Sequence, residues 1–138
     1  MTRVFGLAVA LLVTAAGLVS SACPGEPPPP DKPATLSGIR DDIFQVSCSA
    51  TVCHGGAGAA DGLELIEKPF ENLVDVDSVE VPGKKRVVAG DPDNSLLFLV
   101  LKGNVGTLEQ MPKGLPDGLP DDEITRIKTW IADGAENN

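Results

Sequence analysis

Two of the three cysteines and the one histidine of this 138-residue chain lie within a single short stretch, Cys48-Ser49-Ala50-Thr51-Val52-Cys53-His54, followed at once by Gly55-Gly56. Whatever these side chains bind, they must reach it from one local turn, with the imidazole directly after the second thiol. The rest of the chain supplies no second histidine and no tyrosine. Any site that needs two histidines from one chain is therefore excluded.

Three chemistries fit two thiols beside an imidazole. In the first, each thiol adds to a vinyl group of haem and the adjacent histidine is placed under the iron; the usual spacing for this is C-x-x-C-H. Here four residues separate the cysteines, so Ser49, Ala50 and Thr51 must bulge as a loop, and all three are small enough to do so. In the second, Cys48 and Cys53 form a disulfide, the default for paired cysteines in an exported domain, and His54 is incidental. The third is a zinc site built from Cys48, Cys53, His54 and a carboxylate such as Asp61. It is the weakest, because adjacent residues rarely point at one tetrahedral centre and structural zinc usually takes cysteines in paired knuckles.

The N-terminal sequence bears on which compartment the chain occupies. Arg3 supplies a positive charge, Val4 to Val19 is an apolar run of small residues without acids, and Ser20-Ser21-Ala22 precedes Cys23. Residues 1–22 are read as a secretory signal, too short and too weakly flanked for a membrane span. Cys23 after small residues resembles the lipobox of bacterial lipoproteins, whose cysteine is acylated and becomes the mature N-terminus; Ser20 stands where that pattern prefers Leu. Pro24 in place of Asp after the cysteine leans towards the outer membrane. Residues 23–36 are then the anchor site and a spacer: PGEPPPPDKPA over 24–34 has six prolines and favours an extended polyproline-like form.

The chain carries a net charge of −9, and loss of Arg3 with the leader makes the remainder more acidic still. Nucleic acid is excluded as a partner, since its phosphates require Lys and Arg. An acidic surface can steer the protein to a basic docking face or simply keep it soluble. The one basic cluster, Lys84-Lys85-Arg86, reads more readily as a solvated loop than as a site for a carboxylate ligand.

Across 37–135 the pattern is helical with long Gly- and Pro-rich loops. An amphipathic helix with Ser37 as N-cap sets Ile39, Ile43, Phe44 and Val46 on one side and runs into Cys48. Residues 55–62 hold four glycines and read as a loop with room for something bulky. Phe70 to Val76 fits a short helix or a short strand equally well. Asp91-Pro92-Asp93-Asn94-Ser95 is a helix-start signal, so Leu96 to Leu101, closed by Lys102-Gly103, reads as a brief buried helix. Residues 103–120 hold four glycines and three prolines around Met111, the one methionine besides Met1. Asp121 to Asp133 is an amphipathic helix with three acids in its first turn, a stripe of Ile124, Ile127 and Ile131 with Trp130 beside it, and Gly134 as the stop. Residues 136–138 are a tail.

This order of elements resembles a small class I cytochrome c. More narrowly, IFQVSCSATVCHGG, RVVAGDPDNSLLFLVLKG, QMPKG and DDEITRIKTWIADGA are similar to segments of cytochrome c-like domains in exported bacterial proteins, with a variant C-x4-C-H attachment motif. The resemblance implies an all-α, cytochrome c-like fold with one haem c, Cys48 and Cys53 as thioether attachment points, His54 as proximal iron ligand and Met111 as distal ligand. His/Met ligation favours Fe(II) and fills both axial positions, which implies an electron carrier between redox partner proteins, not an enzyme, on the periplasmic side of the bacterial envelope and anchored through Cys23. The alternative is a haem-free exported binding or structural module with a Cys48–Cys53 disulfide. Oligomeric state is left open.

Overall fold

A computed structural model describes residues 31–50 and 52–138. The secretory signal, Cys23, most of the proline spacer and Thr51 lie outside the described residues. Within them the chain is helical, with four α-helices and no strand; pairing between extended segments is confined to isolated bridges such as Val74 with Val87 and Lys85 with Ser95. No helix among the described residues is long and apolar enough to cross a membrane.

The first helix, α1, spans Leu36–Ile39 and continues without a break into a π-helical stretch, Arg40–Cys48. Its N-cap is Thr35, not Ser37: the Thr35 hydroxyl accepts from the Gly38 N–H at 3.2 Å. The wider winding also rearranges the apolar face. At about 4.4 residues per turn in a π-helix, Val46 lies seven positions after Ile39 and falls opposite the stripe, where it is 76% exposed. Cys48, nine positions on, completes about two turns and returns to the side of Ile39. The expected Val46 packing is thus lost, and Cys48 is turned inward, where it packs against the core.

Helix α2, Pro69–Leu73, resolves the ambiguous Phe70–Val76 segment as a short helix followed by extended chain. Helix α3, Leu96–Lys102, follows a 3-10 turn at Pro92–Asn94. Here Asp91 is the capping side chain, accepting from the Asn94 N–H. Ser95, fully buried, instead accepts from the Val88 N–H at 2.8 Å and donates to the Asp91 carbonyl at 2.8 Å, which fastens the preceding loop to the start of α3. Helix α4 spans Asp121–Ala132.

The core forms where the first helix crosses α4. Leu36, Ile39, Ile43, Phe44, Ile127, Trp130 and Ile131 are all sealed from solvent. Trp130 places its indole N–H on the Glu136 carbonyl at 2.9 Å, satisfying the one polar atom of the buried ring. Arg126, 5% exposed, donates to the Pro33 carbonyl and to Asp42; its guanidinium passes over Gly38, where a Cβ would overlap it. This ion pair and Lys32 hold the Asp42 carboxyl below the usual carboxylate range. Asn138 bonds to the Leu36 and Ser37 amides. The folded region therefore reaches back to Pro33 and forward to the last residue, somewhat beyond 37–135.

Candidate functional site

At the end of the first helix, where Cys48 turns inward, the chain leaves a crevice that opens to solvent and is lined mainly by apolar side chains. Leu63, Leu65 and Leu73 supply one part of its wall, and Leu96, Leu97, Val100 and Leu101 of α3 another. Cys48, His54 and Met111 all line it. Cys53 sits beside them at an adjoining opening that shares Cys48, His54 and Met111. Three sequence-predicted site residues thus meet in one apolar space, with the fourth at its edge.

The Cys48–His54 turn is held by backbone bonds. Cys53 N–H donates to the Ala50 carbonyl at 2.7 Å and His54 N–H to the Cys48 carbonyl at 3.0 Å, so the six-residue step from Cys48 to His54 closes on itself. Gly55 then passes close under the bulge; a Cβ there would overlap the Ser49 carbonyl oxygen. This is the steric reason for glycine directly after the histidine, and the four-residue spacer creates it.

His54 is oriented by its own neighbourhood. Its Nδ1 lies 3.1 Å from the Leu63 carbonyl oxygen. A carbonyl only accepts, so Nδ1 carries the hydrogen, and in the neutral ring Nε2 is the nitrogen with the lone pair. The acceptor is a backbone carbonyl nine residues further along the chain. Leu63 is set by the turn beneath it, where the Glu64 carboxylate accepts from the Ile66, Glu67 and Lys68 N–H groups. Desolvation pushes that carboxyl up, but these backbone donors outweigh it and hold Glu64 below its ordinary value.

Cys48 and Cys53 are both free thiols. Burial, then the nearby Glu123 carboxylate and Cys53, push the Cys48 thiol up to about 12, so it stays protonated at neutral pH. Among the described residues no three His, Cys, Asp or Glu side chains form a cluster suited to a metal ion.

The basic cluster is divided by the fold and is not a freely solvated loop. Lys85 pairs with Asp75 and Asp77. Arg86 instead lines the crevice, donating to the Asn72 and Asp61 carbonyls at 2.9 Å each, and it forms no ion pair among the described residues. Charge runs are normally solvated, and nothing in the order of the three residues marks Arg86 as the one that turns to the crevice.

Comparison of the chain with family models, with curated proteins and with solved structures yields no match.

Proposed function

We propose that this chain is a single-haem c-type cytochrome that carries single electrons between redox partners of the bacterial envelope. The observation that carries the reading is the convergence of Cys48, His54 and Met111 on one apolar crevice, with His54 Nδ1 occupied by the Leu63 carbonyl so that Nε2 is left for a metal. The donor set, one imidazole and one thioether with two thiols alongside, suits haem iron better than a small ion.

On this reading Cys48 and Cys53 would hold the haem covalently, each thiol S–H adding across a vinyl group with no oxidant required. The bound haem supplies an iron that alternates between Fe(III) and Fe(II). His54 ligates through Nε2, made more basic by its bond to Leu63. Met111 supplies a soft thioether that favours Fe(II). The leucine and valine walls keep water out, which disfavours the extra charge of the oxidised state. Arg86, whose observed bonds are to carbonyls only, offers its remaining donors to carboxylates at the crevice, as haem propionates would require. With His54 and Met111 both given to the iron, this chain would offer a substrate no place on the metal. Export and anchoring through an acylated Cys23, with a basic docking face on the partner, complete the proposal.

Expression together with a cytochrome c maturation system should give a band that stains for haem after denaturing electrophoresis. A colourless product carrying a Cys48–Cys53 disulfide would instead make the chain a haem-free module.

A further inference from the structure

Met111 sits in a loop of 18 residues, 103–120, without helix or strand, shaped by hydrogen-bonded turns such as the one in which Val105 and Leu108 exchange backbone bonds. Yet the loop is hooked to α3 beside the methionine. Met111 N–H donates to the Val100 carbonyl at 3.0 Å, and the Gln110 side-chain amide donates to the Leu101 carbonyl at 3.1 Å. Both acceptors belong to the last turn of α3, where carbonyls lack partners within the helix. Gln110 N–H in turn donates to the Asn104 side chain at 2.9 Å. The far arm of the loop crosses the same amide at Gly118, where a Cβ would lie 2.9 Å from Gln110 Nε2 and the backbone has φ +69°. Gln110 therefore ties the helix end to the start of the loop, with the returning arm packed against its amide, while its own side chain is not among those lining the crevice. Val100 and Leu101, whose carbonyls accept from the Met111 N–H and the Gln110 side chain respectively, do line it.

We infer that Gln110 is a positioning residue: its amide bond to α3 holds the Met111 thioether in the crevice and so sets how readily that ligand can be displaced. The inference rests on the haem reading for the ligand's role, but the clamp itself belongs to the polypeptide. Two readouts separate these. In haem-loaded protein, imidazole should displace Met111 from Gln110→Ala at about five- to tenfold lower concentration than from wild type, the scale of one hydrogen bond, followed as loss of the near-infrared sulfur-to-iron band. In haem-free protein, exchange of the Met111 amide, corrected for the altered neighbour, should accelerate by a similar factor while the Ile127 amide is unchanged. Gln110→Glu keeps the size but as a carboxylate cannot donate to Leu101, so at neutral pH it should behave like Gln110→Ala; it also serves if the alanine variant does not fold. Thr35→Ala, which removes a helix cap elsewhere, should lower stability without moving either readout. Wild-type-like values in Gln110→Glu, or equal changes in Thr35→Ala, would overturn the inference. A wild-type product without haem would overturn the electron-carrier reading and leave amide exchange to decide the clamp.

Discussion

The seam between the two terminal helices and the crevice are built on opposite terms. At the seam, Ile39, Ile43, Ile127 and Ile131 have no exposure at all, and the polar atoms brought in with them are paired: Trp130 Nε1 with Glu136, Arg126 with Asp42 and Pro33. At the crevice, Cys48, Cys53, His54 and Met111 are all partly exposed and stand on loops or at a helix end, against apolar walls that none of the described residues fills. Stability is concentrated where nothing reacts. Reactive side chains sit on less protected segments whose positions depend on single hydrogen bonds to the packed half.

That division predicts unequal costs for equal chemistry. Trp130→Ala should remove about 3–5 kcal/mol of stability, since the ring is fully buried and its N–H bond goes with it. Leu63→Ala, on the crevice wall and partly exposed, should cost only about 1 kcal/mol, because the His54 acceptor is a backbone carbonyl and survives the change. Urea unfolding of the two haem-free variants measures both. Similar losses would mean that the crevice wall belongs to the stable core after all.

Gly55 tests the division from within the crevice side. Alanine there must displace the Ser49 carbonyl, a backbone atom that cannot swing away, and about 1–3 kcal/mol should be lost through overpacking. Gly58, three residues on, has nothing within 4 Å of where an added methyl would sit and no left-handed backbone, so Gly58→Ala should be neutral or slightly stabilising through the unfolded chain. Thermal unfolding of the pair reads the difference. An equally harmless Gly55→Ala would show that the Cys48–His54 bulge is loose, and that its register is not fixed by the step onto glycine.

How far the sequence disclosed this arrangement follows from which residues carry a periodic or capped pattern. Helices α3 and α4 were legible because a turn signal or an acidic first turn precedes an apolar run and glycine closes it. The apolar stripe before Cys48 was legible, but its winding was not: α and π geometry place Val46 on opposite faces, and side-chain types do not distinguish them. Thr35 and Ser37 are equivalent as caps on paper, and Asn138 gives no sign that it will reach the Leu36 amide. At the site, the thiols, His54 and Met111 stood out by rarity. Arg86 did not, because its inward turn depends on carbonyls of Asp61 and Asn72 that lie distant in sequence, and a lone glutamine such as Gln110 carries no pattern at all.

The smallest predicted effect lies where the two regions meet. Glu123, in the first turn of α4, is the one residue among those described with a buried side-chain oxygen lacking a hydrogen-bond partner, Oε2. Burial first, and then Asp122, raise its carboxyl above the ordinary value, with Lys32 and Arg126 pulling the other way. For an acid raised in the folded state, the fold binds the proton more tightly than the unfolded chain does, so stability falls as pH rises through the carboxyl range. Glu123→Gln removes that loss and gives the buried position a donor. It should gain less than about 1 kcal/mol at pH 7, since the side chain is partly exposed and screened, with the advantage shrinking as pH falls from the raised value towards about 4.3, the ordinary glutamate value, and gone below it. Melting temperatures across that range measure it. The same change should ease the Cys48 thiol downward from its raised value, because the Glu123 charge ranks after burial among the causes holding it there. A less stable variant at pH 7 would mean that Lys32 and Arg126 use the Glu123 charge, placing it with the paired polar atoms of the helix seam and not at the border with the crevice.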